Sequence, residues 1–78
     1  MEIAFVLLKC RYDKTIAIEK FLQSEIPYVK EVYPIYGKSD IICKLEVPDL
    51  DELSNIILLK LRDLDGLEET ETHIVMKI

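Results

Sequence analysis

Tyr36-Gly37-Lys38-Ser39-Asp40 interrupts two long apolar runs with a glycine, a hydroxyl and a carboxylate. Glycine permits backbone dihedrals that other residues avoid, and an adjacent aspartate bonds nearby amides, so the stretch reads as a tight turn between strands. Upstream, Val29, Glu31, Tyr33 and Ile35 alternate with Lys30, Val32 and Pro34, and Pro34 suits a sheet edge because it donates no ladder hydrogen bond. Downstream, Ile41, Cys43, Leu45 and Val47 alternate with Ile42, Lys44 and Glu46. The two runs predict a β-hairpin.

Working outward, Ile3 to Leu8 is an unbroken apolar run, short enough for a strand buried on both faces. Asp13 is placed to cap a helix carrying Ala17, Ile18, Phe21 and Leu22 at helical spacing, which Pro27 stops. After the hairpin, Asp49 followed by Glu52 resembles a capping box for a second helix. Its buried stripe is predicted as Leu50, Leu53, Ile57, Leu61 and Leu64, with Ile56 and Leu58 broadening it, and Asp65-Gly66 as the stop. A last strand is expected from Leu67 to Ile78, with Thr70, Thr72, Ile74, Met76 and Ile78 on one face and Glu69, Glu71, His73 and Val75 on the other.

The two halves echo each other. Ile26 to Val32 aligns with Leu64 to Thr70 at a shift of 38 residues, and the same shift places Asp13 on Asp51 and Leu7 on Leu45. Two βαβ halves joined by a hairpin give βαββαβ, a ferredoxin-like sandwich with a four-stranded antiparallel sheet and both helices on one face. The other sheet face is left bare. Because the first strand is apolar on both sides, that face is expected to be covered by a second subunit in a two-fold, α/β-barrel-like dimer.

Composition narrows the function. Seventy-eight residues form one predicted domain, 1–78, with a thin core, and 50% hydrophobic content is rich for that size. The net charge of −5 and the scattered Lys and Arg argue against direct nucleic-acid binding. No run approaches the ~18 apolar residues of a membrane helix, and the N-terminus does not read as a signal peptide, so a cytoplasmic protein is expected. Cys10 and Cys43 form neither a disulfide framework nor a CxxC motif and read as buried thiols; a bridge between them requires Cα atoms within ~7 Å. His73 is the sole imidazole, and Glu68, Glu69 and Glu71 lack calcium-loop spacing. The chain is therefore read as non-enzymatic, without metal or cofactor.

A binding site fits the residues better. A free amino acid needs an acceptor for its ammonium group and N–H or hydroxyl donors for its carboxylate. Asp40 is the candidate acceptor or loop organiser. Gly37 and Ser39, with the hydroxyls of Thr70 and Thr72, are the candidate donors once subunits pack together.

Tyr36-Gly37-Lys38-Ser39-Asp40 before an apolar strand, Leu64-Asp65-Gly66-Leu67 after a leucine-rich helix, and Thr70-x-Thr72-x-Ile74-Val75 together resemble the effector domain of the Lrp/AsnC transcription regulators. The resemblance covers nearly the whole chain. It implies sheet-to-sheet homodimers, ring-like assemblies of several dimers, and amino-acid effectors held between dimers by the glycine loop and nearby strand positions. Because the sequence begins at Met1 with the first effector strand, a stand-alone form lacking the helix-turn-helix domain is expected. Such a module modulates transcription indirectly, for example by joining a full-length relative. The alternatives are a ligand-free oligomerisation partner of such a regulator and an ACT-like regulatory domain.

Overall fold

The computed structural model describes residues 1–77. Its strands are β1 (Glu2–Cys10), β2 (Val29–Pro34), β3 (Ile41–Val47) and β4 (Leu67–Ile74), paired antiparallel in the order β2-β3-β1-β4. Helix α1 (Thr15–Glu25) joins β1 to β2, and α2 (Leu50–Asn55), continued by a π-helical stretch (Ile56–Leu61), joins β3 to β4. This is the βαββαβ arrangement that the duplicated sequence predicts. Pro34 lies in an edge strand, where its missing N–H costs no ladder bond.

The core lies between one sheet face and the helices. Ala4, Val6, Leu8 and Cys10 of β1 and Ile41, Cys43, Leu45 and Val47 of β3 are buried against Ile18, Leu22, Leu53, Ile56 and Leu61. The opposite face carries Ile3, Phe5 and Leu7 of β1 with Ile42, Lys44 and Glu46 of β3, all at least partly open to solvent. Lys44 sits there 3.7 Å from both Glu31 and Glu46, so the apolar residues of this face are interrupted by a charge cluster of one cation and two carboxylates.

Several local expectations are corrected. In β2 the alternation is broken by a bulge at Lys30: Val29 pairs with Leu45 and Val32 with Cys43, so both valines face the core, whereas Glu31 and Tyr33 face outward. One extra residue resets the period-two pattern. Asp13 does not cap α1; a 3-10 turn (Tyr12–Lys14) precedes that helix, and the Asp13 carboxylate instead accepts from Arg11 Nε at 2.7 Å. Asp49 does cap α2, accepting from the Glu52 amide at 2.8 Å.

The second helix departs from uniform α geometry. In an α-helix Ile56 and Leu61 stand about 140° apart around the axis, and Lys60 shares the face of Ile56. The i→i+5 bonding of the π-helical stretch winds more residues into the turn, which buries Ile56 and Leu61 together and leaves Lys60 exposed. Leu50, predicted buried, is exposed, and Leu58 points outward.

Strand β4 ends at Ile74, shorter than expected; Ile78 lies outside the described residues. Gly66, at φ +90°, turns the chain into β4, and its carbonyl accepts from the Arg11 amide at 2.7 Å. A Cβ there would overlap the Lys14 side chain, so the stop signal is also a close approach. Both cysteines are free. Cys43 pairs with Val6, four residues along β1 from Cys10, a separation of roughly 13 Å that excludes a bridge.

Candidate ligand-binding site

Asp40 ties the β2–β3 hairpin to the end of β1. Its amide donates to the Leu8 carbonyl at 2.8 Å and its carbonyl accepts from the Ile35 amide at 2.9 Å. Its Oδ2 accepts from the Cys10 amide at 2.8 Å. The side chain thus occupies the ladder position that β3 vacates as the chain turns away, which satisfies a partly buried donor. Asp40 organises the loop, and one carboxylate oxygen is committed to the fold.

The anchored hairpin, the end of β1 and the start of β4 enclose a cavity of about 300 Å³ lined by Leu7, Lys9, Lys38, Ser39, Glu69, Thr70 and Glu71. Register explains this set. Leu7 pairs with Glu71 and Lys9 with Glu69, so all four project from the open sheet face. Ser39 and Lys38 enter from the turn. Among the described residues, Lys9, Lys38 and Glu69 make no ion pair within 4.0 Å, whereas Glu71 Oε2 lies 2.9 Å from His73 Nε2. Two ammonium groups and two carboxylates therefore surround Ser39, while Thr70, paired with the buried Leu8, borders the cavity with its side chain on the helix-covered face.

The five residues singled out in the sequence separate in space. Ser39 and Thr70 meet in this cavity. Gly37, at φ +124°, forms the hairpin tip, with nothing within 4 Å of where a Cβ would stand. Thr72 pairs with Val6 and faces the helices, lining a second hollow of about 290 Å³ with Leu53, Ser54, Ile57, Leu58 and Ile74. Lys9 and Lys38 were missed. Their signal was present in the alternation Leu7-x-Lys9 and in the turn itself, but register alone brings them opposite Glu69 and Glu71.

Neither cysteine is suited to chemistry at this site. Burial, then the negative charges of Asp40 and Glu68, raise the Cys10 thiol above its usual range, and burial pushes Cys43 up to about 11. Both thiols stay protonated and unreactive near neutral pH.

The class this fold defines is the small α+β domain of ferredoxin-like βαββαβ topology. A family model described as the Lrp/AsnC ligand binding domain matches residues 3–78, and the chain belongs to that family. It is a regulatory, non-enzymatic family. The crystal structure of the hypothetical protein PHS023 from Pyrococcus horikoshii superposes with a TM-score of 0.90 at 32% identity, over 100% of this chain and 93% of that one. The HTH-type transcriptional regulator FL11 of the same organism is 32% identical over 75 residues, which cover 96% of this chain and 48% of the regulator. A homocitrate synthase of Sulfurisphaera tokodaii is 40% identical over 75 residues, 95% of this chain but 16% of the enzyme. The chain thus spans about half of one curated relative and a small part of another.

Proposed function

We propose that this chain is an oligomeric, amino-acid-sensing effector module that acts in the cytoplasm on a larger regulatory protein. The observation that carries the reading is the cavity between hairpin and β4, where both charge signs stand beside Ser39. A zwitterion presents the matching pair on one carbon. Lys38, Lys9 and the Ser39 hydroxyl suit the α-carboxylate, and Glu69 and Glu71 suit the α-ammonium. Asp40 supports this arrangement from behind by holding the hairpin. Gly37 and Thr72, which lie outside the cavity, join the site from a neighbouring subunit.

Self-association has its own support. Phe5 and Tyr33 are exposed on the bare sheet face beside half-buried Ile3, Leu7 and Ile42. A stable two-fold interface of standard size buries about 800 Å² per partner.

Calorimetric titration of the assembled protein with the twenty amino acids tests the ligand. Heats are expected for a subset at millimolar concentration or below, and they should weaken in Lys38→Ala and Glu71→Gln. Absent heats throughout, with the fold intact, would remove the ligand and leave a purely structural oligomerisation partner.

The synthase match favours a second reading of the partner: an effector module that serves an enzyme rather than a DNA-binding regulator. Co-purification from the native cell followed by mass spectrometry separates the two. A helix-turn-helix relative supports the first reading, and a biosynthetic enzyme supports the second.

A further inference from the structure

His73, the sole imidazole of the chain, stands next to the candidate ligand cavity without lining it. It shares the open sheet face with Glu71, two positions earlier on β4, and its Nε2 lies 2.9 Å from Glu71 Oε2. Of the two carboxylates in the cavity wall, Glu71 is therefore held by a second side chain, whereas Glu69 makes no ion pair within 4.0 Å among the described residues. A carboxylate accepts through both of its oxygens. With Oε2 engaged by His73, Oε1 is left for an ammonium group in the cavity, and the bond removes part of the side-chain freedom that a loose glutamate would lose on binding.

The surroundings of the ring leave this pair to itself. Opposite His73, β1 presents Phe5, with Ile3 and Leu7 beyond it on the same face. In the same row, β3 presents Lys44, which pairs with Phe5 and stands 3.7 Å from Glu31 and Glu46. Lys9 is opposite Glu69, four positions along β4 and roughly 13 Å from His73. Lys77, past the end of β4, is drawn to Glu2 at 3.0 Å. Among the described residues, Glu71 is the one ionic partner of the imidazole within 4.0 Å.

We propose that His73 is a positioning residue for Glu71 and makes amino-acid binding in the cavity proton-dependent, on the reading above that the cavity holds a zwitterion. An ionised carboxylate only accepts, so the neutral ring donates to it through Nε2–H and holds Oε1 for the α-ammonium. The imidazolium instead sets a second positive charge on the same carboxylate, which weakens the hold on the ammonium group. Histidine is the side chain that gains charge as pH falls from about 8 to about 5, so affinity falls with pH. Two cations on one carboxylate stand about 6 Å apart, two hydrogen-bond lengths, and at a site open to water that repulsion changes an association constant about three- to tenfold.

Calorimetric titration of the whole chain with each of the twenty amino acids, at about pH 7.5 and about pH 5.5, is the test. For every amino acid that gives heat, the association constant should fall at least about threefold in acid for the parent, and less than about 1.5-fold for His73→Gln, whose amide donates to Glu71 without gaining charge. At the higher pH the two proteins should bind alike. Without any amino acid, the Glu71 carboxyl carbon resonance should move with the His73 ring resonances between about pH 8 and 6 in the parent and not in the variant. No weakening in acid, or equal weakening in both proteins, would overturn the proposal and leave the ligand reading standing, whereas absent heats at both pH values would end both. An assembly mass that changes with pH in step with affinity would also overturn it, by assigning the effect to subunit packing.

Discussion

Replacing Asp40 by alanine separates the two roles that an acid in this turn can play. The variant removes the acceptor of the Cys10 amide, a 2.8 Å bond in a partly buried position, and leaves both main-chain bonds of residue 40 in place. A hydrogen bond to a charged acceptor contributes about 1.5–3 kcal/mol, and because water reaches part of this site the lower half of that range applies. For a domain of this size ~2 kcal/mol corresponds to a fall of roughly 10 °C in melting temperature. Asp40→Asn keeps an oxygen acceptor without its charge and should lose about half as much. Thermal unfolding followed by circular dichroism is the assay, at one fixed protein concentration because association contributes to the midpoint. Hydrogen exchange should show lost protection at the Cys10 amide. If Asp40→Ala melted within about 2 °C of the parent while its amino-acid heats vanished, Asp40 would be a ligand acceptor and the loop-organising argument would fail.

Three further outcomes follow from the geometry. Gly66→Ala forces a side chain into φ +90° and onto Lys14; a loss of at least ~2 kcal/mol in denaturant unfolding is expected, and a neutral result would show that the β1–α1 corner yields. Cys43, raised from 9.0 to about 11, retains its proton in the folded state after the unfolded chain has lost it. Its contribution is therefore complete below pH 9 and disappears between pH 9 and 11, by about 3 kcal/mol, so the fall in stability over that window should be shallower in Cys43→Ala. Deleting the exposed Leu59 leaves Leu61 four positions after Ile56 and converts the π-helical stretch to α; the melting temperature should be equal to or above that of the parent, and unfolding of the deletion variant would mean that the wide turn is required for packing.

How far the sequence could be read depended on the range of each interaction. The hairpin, the Asp49 cap, the break at Pro27 and the turn at Gly66 are written in neighbouring residues, where a proline ring, a glycine dihedral or a capping oxygen acts within one turn of chain. The duplication at 38 residues then made βαββαβ the consistent topology. Errors arose where packing over distance outweighed local pattern. Lys30 bulges so that Val29 and Val32 both reach the core, Asp13 turns to Arg11 rather than to a helix end, and the second helix widens to bury Ile56 and Leu61 without Lys60.

The candidate site divides in the same way. Sequence alone determined that Gly37, Ser39 and Asp40 form one turn and that Thr70 and Thr72 share a strand face opposite Glu69 and Glu71, because a turn and a two-residue strand period are local properties. Tertiary structure decided the rest. Only the β1–β4 register sets Lys9 against Glu69, and only hairpin docking commits Asp40 to Cys10 while bringing Lys38 and Ser39 to Thr70. Those pairings join residues roughly thirty or more positions apart, and such contacts form when the whole sheet closes over its core.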